Sequence, residues 1–540
     1  MLTEPATKYP RFRAPREDNQ ALVVPRCGAV GQLLAANRER IAIHDYNVQG
    51  RSIVELAQSA RRAVVERAVQ FTADYRDVPV AWRDPQFIRT QPLFIAGHQP
   101  ELVHPGVWFK NFVLGGLAHQ HNGVALQLVI DTDLCRAAAI RVPTGSIKTP
   151  RMEVVSYDAQ LAEQPYEERR VDDLALAAGF PSRVENAIRP FIAQPLVAQL
   201  WPHVMESLGR HGNLGMALAQ GRHWVEAQWG NQTVELPASQ VCELTEFRWF
   251  ASHVLAQLPR FRQAYNGALA DYRQVHGVRN KAQPLPNLAA ADDWLESPFW
   301  VWTSQRPVRR SLWVRRAGIR LQLTDRDQIE FELELAESGD AARAVDQLTD
   351  IAARGIKLRS RALITTLFAR LMLGDLFLHG IGGAKYDQVT DELARRFFGF
   401  APPGYMTLSA TLRLPIEHES VNREHLHELS HELRELTFHP EKHLESSNGE
   451  VAAIVSSKQC WIAAPTTPAN AAERHHAIVA ANELLQPWVA QRREALLARQ
   501  SDGRERLRAS AILELREYAF CLFPANDLRR RLSDLADRGA

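Results

Sequence analysis

The stretch from Pro92 to Asp133 constrains the fold more than any other part of the chain. It reads as a short apolar strand, PLFIAG, a helix over VWFKNFVLGGLAHQH, and a second strand, GVALQLVIDTD, that ends in carboxylates. Strand, turn, helix and strand in so few residues is the grammar of a βαβ unit, and two strands joined in this way lie parallel in one sheet. Open parallel sheets bind ligands beyond the carboxyl ends of their strands. The tetrapeptide Gly97-His98-Gln99-Pro100 and the triplet Asp131-Thr132-Asp133 both fall at such ends.

A second α/β passage spans residues 355–415, where RSRALITTLFARLML reads as a helix, GDLFLHG as a strand, IGGAKYDQVTDELARRFFG as a glycine turn into a helix, and GYMTLSATLRLP as a strand. Between the two passages, VWTSQRPVRRSLWVRRAGIRLQLTDRDQIEFELEL alternates apolar and polar residues, the period of antiparallel strands. The fold class expected is therefore α/β with a parallel-sheet core. The chain divides into an N-terminal helical docking segment (1–90), a first part of the core (91–150), an inserted connective region with antiparallel strands (151–354), a second part of the core (355–415) and a helical C-terminal region (416–540). At 540 residues two or three domains are expected.

Charge narrows the function classes. Lys plus Arg number 64 against 62 Asp plus Glu, and a near-neutral chain makes no case for nucleic acid, which needs a concentrated positive face. No stretch of about 18 apolar residues spans a bilayer, and the first twenty residues lack the apolar core of a signal peptide. The five cysteines are far apart with no Cys-x-x-Cys pair, which fits a reducing compartment. The expectation is a soluble cytoplasmic protein that acts on small molecules, with no nucleic-acid or membrane partner.

Two glycine-bearing strand ends carry the candidate chemistry. At the first, Gly97 and Gly106 let the backbone approach a ligand, His98 and His104 offer donors or a proton shuttle, and Gln99 and Lys110 offer polar and charged contacts to an anion. At the second, Gly380, Gly382 and Gly383 follow an apolar strand, with His379 before them and Lys385, Tyr386 and Asp387 opening the helix. Backbone amides there suit an anion, and Lys385 stands where its counter-charge belongs. Asp131 can take a proton from an amine, accept from a ribose, or join a Mg²⁺ shell. A third motif, HELSH at 427–431, matches the zinc-hydrolase pattern with His427 and His431 as ligands and Glu428 as base, but charged residues surround it. Arginines 306–310 and 358–361 read as strand-edge and helix-start charges, and Trp294, Trp300, Trp302 and Trp313 as packing.

The two strand ends resemble the bacillithiol-biosynthesis cysteine-adding enzymes, a cysteine ligase family. Its members carry Gly-Gln-Gln, a short loop and Thr-Gly-Pro after an early strand, then a helix with a lysine; GHQPELVHPGVWFKN is similar, with His98 for the first glutamine and Val107 for the proline. Asp131 and Asp133 stand where the family has an acidic cluster, and LHGIGGAKYDQVTDEL resembles its Gly-Gly-x-Gly-Glu turn, with Ala384 or Lys385 for the glutamate. The resemblance is distant and covers the α/β segments. It implies a Rossmann-like core, a cavity for ATP or an ADP-like nucleotide, a coiled-coil C-terminal arm that forms a homodimer, and amide formation between cysteine and an amino-sugar conjugate. In those terms Gly97 to Gln99 and the 380–383 segment hold anions, Lys110 and Lys385 stabilise negative charge, and His98 or Asp131 takes the amine proton. The alternatives are a non-catalytic binding relative and the zinc hydrolase.

Overall fold

In the computed structural model, residues 10–160, 162–280, 282–419, 423–444 and 449–539 are described. They form two compact units. The larger takes the described residues up to Val142, Val154–Leu414, and those from Arg516 onward; the smaller takes Pro143–Glu153 and the described residues between Pro415 and Leu515.

The larger unit is built on a six-stranded sheet: β1 (Gln20–Val24), β2 (Leu93–His98), β3 (Val124–Val129), β4 (Val234–Pro237), β5 (Leu376–Gly380) and β6 (Tyr405–Thr411), in the spatial order β1-β6-β5-β2-β3-β4. Every neighbouring pair is parallel except β1 with β6, which is antiparallel. The chain lays β2, β3 and β4 outward in one direction, then places β5 on the other side of β2, so the winding reverses between β2 and β5. Leu93, Phe94, Ile95 and Ala96 of β2 and all six residues of β3 are buried, as expected of parallel strands covered on both faces.

Two of these strands escape the sequence reading. Gln20–Val24 lies in the segment expected to be a helical docking piece, yet its backbone pairs along β6, Gln20 opposite Thr411 and Val24 opposite Thr407. Val234–Pro237 falls inside the supposed insertion, but pairs with β3 at the far edge. Both runs are too short to carry a period of their own.

The anticipated helix is α1 (Ile53–Ala73), started by Ser52, whose hydroxyl accepts from the Val54 amide; Ile53, Leu56, Ala60 and Val64 are on its buried face. Below the sheet, Asp375 anchors this helix to the core: it accepts from Arg61 (2.5 Å), Arg38 (2.8 Å) and the Leu93 amide (2.7 Å). Between β2 and β3 runs α2 (Pro105–Gln120), with Pro at its first position and twelve buried residues. Its Gly106 lies against β6 so closely that a Cβ would stand 1.9 Å from the Ala410 carbonyl oxygen. Gly106 is thus a packing residue and not the point of ligand approach expected of it.

The antiparallel meander is present as a second sheet. Trp294–Thr303, Arg306–Ala317, Arg320–Thr324 and Glu330–Glu334 pair in turn, and Ile356–Ser360 pairs along the other side of Trp294–Thr303. The guanidinium carbons of Arg309 and Arg361 lie 4.7 and 4.0 Å from the centre of the Trp300 ring, so this tryptophan packs against cations.

The smaller unit is helical. Along α5 (Arg423–Phe438), Leu426, Leu429, Leu433 and Leu436 repeat at heptad spacing and pack on Val489 and Leu496 of α7 (Ala471–Leu513). Gln500 donates to Ser430 (2.9 Å) and Gln486 to the Leu436 carbonyl (3.0 Å), so α5 and α7 run antiparallel. The coiled-coil seam is filled within one chain.

Candidate functional site

The carboxyl ends of β2, β3 and β4 bring together most of the first predicted group. His98 ends β2, level with Val129 at the end of β3, and Gln99 just beyond donates from Nε2 to Asp133 Oδ2 at 2.9 Å. The two motifs separated by thirty residues of sequence are therefore joined by one hydrogen bond. Arg309 of the second sheet adds a bond to Asp133 Oδ1 at 2.9 Å, a role its position in a charged strand edge does not advertise. Burial pushes the Asp133 carboxyl up, but Gln99, the Leu134 amide and Arg309 outweigh it and hold it below its usual range.

Lys110 is buried on α2, and its Nζ donates to the Gly97 carbonyl at 2.6 Å. Burial, then the charge of Arg222, brings it down to about 7. His98 Nδ1 lies 3.0 Å from the Gln99 carbonyl, which can only accept, so the neutral ring carries its proton on Nδ1 and leaves Nε2 as an acceptor. Burial and then Lys110 keep this imidazole neutral, down to about 3. His104 caps the start of α2 and is lowered to about 4 by burial and Arg516. At neutral pH neither histidine carries the charge an anion would seek.

Asp131 is the most distinctive group. It is 7% exposed, and it accepts from both the amide (2.9 Å) and the hydroxyl of Ser239, just beyond β4. Burial, reinforced by Glu167, pushes its carboxyl up to about 7. It lines a cavity of about 300 Å³ with Glu167, Glu168, Arg170, His211 and Ser239. Glu168 is held by Trp302 Nε1 (2.9 Å) and Lys357, and Glu167 by Arg359, all from the second sheet. One side of the cavity is buried and acidic, whereas Arg170 and His211 are exposed.

The second predicted group does not line this cavity. The structure replaces the expected glycine turn with a direct passage from β5 into α4 (Ile381–Phe398), with Gly380 at its cap and Gly382 and Gly383 in its first turn. A Cβ at Gly380 or Gly382 would meet nothing within 4 Å, while one at Gly383 would stand 2.6 Å from His379 Nδ1. Asp387 is fully buried, 2.8 Å from Arg370 and 2.5 Å from His379 Nε2. Arg370 sits in a π-helical turn, Ala369–Leu373, and also reaches Asp391 at 2.7 Å. Asp387 and His379 therefore belong to a buried charge network, Tyr386 is half-buried, and Lys385 points to solvent on the helix surface. The ligand role expected of Asp387 is not what this position serves, since its carboxylate is taken by Arg370 and His379; Lys385 stands exposed in the second turn of α4.

HELSH fares no better. His427, Glu428 and His431 are all exposed on α5, and among the described residues no group of three or more His, Cys, Asp or Glu side chains is placed to hold a metal. Sequence reasoning missed Glu167, Glu168, Arg170, Ser239, Lys357 and Arg359. Only the charge run PYEERR (165–170) hints at the first three. Among the described residues no helix is long and apolar enough to cross a membrane. No family model and no curated protein matches the chain.

Proposed function

We propose that this chain is a carbon–nitrogen ligase-like enzyme that joins an activated, cysteine-like amino acid to the amine of a small amino-sugar-type substrate at the carboxyl edge of a Rossmann-like sheet. The observation that carries the reading is the polarity of the cavity, with the buried Asp131 carboxyl, pushed up by burial and by Glu167, on one side and exposed Arg170 and His211 on the other. An amine must lose its proton to attack an acyl carbon, and a base with pKa near 7 suits that step. Arg170 and His211 suit a substrate carboxylate.

The strand order supports the Rossmann-like assignment. Numbered from β2, the parallel strands lie in the order 3-2-1-4-5, and the winding reverses beside β2, where such sheets bind nucleotides. The residues there fit a nucleotide: Gly380 and Gly382 leave open space at the start of α4, where unpaired amides favour phosphate. Bound there, the nucleotide supplies activation of the acyl donor's carboxylate. This chain's own residues do the rest. The amine nitrogen forms its bond to the activated acyl carbon as the carbon–oxygen bond to the activating phosphate breaks, the phosphate oxygen leaving with that electron pair, Asp131 receives the amine proton, and Ser239 keeps that carboxyl aimed. Lys110, partly protonated at pH 7, steadies the Gly97 carbonyl at the strand end.

The resemblance also suggests a cytoplasmic homodimer. Since the α5–α7 seam is filled internally, the outer face of α7, where Leu484, Trp488 and Leu497 are exposed, is the part left to meet a second copy.

Thermal melting tests the reading with ATP, ADP, cysteine, other amino acids and amino sugars, because a ligand that binds the folded state raises the melting temperature. An amino-acid or nucleotide shift is expected, with the amino-acid shift lost in Asp131→Asn and Arg170→Gln. No shift from any compound, or shifts unchanged in both variants, would overturn it. Binding without turnover in an amide-formation assay would leave the non-catalytic relative.

A further inference from the structure

The acidic side of the cavity is held from another sheet. The Glu167 amide donates to the Asp131 carbonyl at 2.8 Å, which ties the two residues together at the strand end. The Glu167 carboxylate is then clasped by Arg359, Nε to Oε1 at 2.9 Å and Nη2 to Oε2 at 3.1 Å, with Lys357 Nζ 3.5 Å from Oε2. Arg359 is 4% exposed and donates again to Glu243 at 2.7 Å. A two-bond clasp of this kind fixes geometry as well as charge.

We propose that Arg359 is a positioning residue for the cavity: by holding and neutralising Glu167, it sets the pH range in which Asp131 exchanges a proton, and so the range in which the site accepts an amine. This rests on Asp131 as the base of the proposed reaction. The groups that face Asp131 come from every neighbouring element. Ser239 contributes two donors from beyond β4, and Glu167, Glu168 and Arg170 come from the segment after the β3 end. Lys357 and Arg359 belong to the second sheet, Glu243 pairs with Arg359, Cys242 lies beside it, and His211 lines the cavity. Asp133 stands two residues along, already paired with Arg309.

The sign follows from charge. A neighbouring carboxylate makes Asp131 keep its proton, and a neighbouring guanidinium makes it release the proton. Glu167 acts in the first sense and Arg359 in the second. Without Arg359, Glu167 faces Asp131 uncompensated; without the Glu167 charge, Arg359 acts alone.

The test is a pH titration of the Asp131 carboxyl by ¹³C NMR on protein labelled at the aspartate side-chain carboxyl, the signal assigned by its loss in Asp131→Asn. Arg359→Gln is expected to raise the midpoint by about one pH unit and Glu167→Gln to lower it by about as much. Arg359→Lys should stay near the wild type, and Glu167→Gln with Arg359→Gln should lie between the single variants. If Arg359→Gln alone fails to fold, Glu167→Gln and the double variant still decide. A midpoint that is the same in every folded variant overturns the proposal, since a purely structural role for Arg359 would leave it unmoved. A titration that shifts as expected, in a protein whose cysteine response survives Asp131→Asn, would instead sink the ligase reading and leave the Arg359 coupling standing.

Discussion

Replacing Asp131 with asparagine keeps the shape of the side chain and an acceptor for the Ser239 amide, turns the bond with the Ser239 hydroxyl round so that the hydroxyl accepts, and removes the titrating charge. On folding, the carboxyl moves from 3.8 to about 7. Between those values the folded protein holds a proton that the unfolded chain has released, so the stability Asp131 contributes is fully present below 3.8, declines as pH rises, and is gone above about 7. Each pH unit in that window corresponds to about 1.4 kcal/mol. From pH 5 to pH 8 about two of those units are crossed, which makes the expected change on the order of 3 kcal/mol. Urea denaturation of the wild type and Asp131→Asn across that range measures it. The variant should gain on the wild type steadily with pH and level off above about pH 7.5. Other titrating groups, such as Glu235 and Lys110, are common to both proteins and cancel in the difference. Two stability curves that run parallel within about 0.5 kcal/mol would refute the reasoning, because a buried, proton-holding carboxyl cannot be silent across that window.

The anchoring and packing residues give sharper structural tests. Asp375→Ala removes a buried carboxylate that half-buried Arg61 and the Leu93 amide donate to, so a loss of about 3 kcal/mol is expected at pH 7 in denaturant titration. Because Arg38, Arg61 and the Leu93 amide hold the Asp375 carboxyl below its usual range, against its burial, that loss should shrink as pH falls through the acid range, and an undiminished loss would contradict it. Gly106→Ala, whose new carbon meets the Ala410 carbonyl, should cost at least about 2 kcal/mol, whereas Gly382→Ala should stabilise the ligand-free protein by up to about 1 kcal/mol while abolishing any nucleotide-induced melting shift. His427→Ala and His431→Ala should leave stability within about 0.5 kcal/mol of the wild type, and elemental analysis should find the same zinc content before and after; zinc lost on either substitution would revive the hydrolase.

Much of the architecture was legible because it is local. β2, α2 and β3 follow from apolar runs, glycine punctuation and a proline at a helix start, and the meander from period-2 alternation. The charged amphipathic character of the C-terminal stretch reads as paired helices, while the seam at Leu426, Leu429, Leu433 and Leu436 emerges from the structure. Local pattern also placed GHQP and DTD at strand ends, and those ends do face each other through Gln99 and Asp133.

What the chain alone determined, then, was the kind of element along the two α/β passages and the meander, and which residues stand at the ends of β2 and β3. The tertiary structure decided the rest: that β1 and β4 complete the sheet, that Gly106 serves packing, that Asp387 is spent on Arg370 and His379, and that α5 finds its partner in α7. It also decided the cavity, since Asp131, Glu167, Ser239 and Arg359 come from four separate stretches of sequence. The physical reason is that propensity and periodicity act between neighbours along the chain, whereas burial, charge pairing and the protonation of a carboxyl depend on neighbours in space. Asp131 is an ordinary aspartate in the sequence, and only the closing of the fold around it moves its titration toward neutrality.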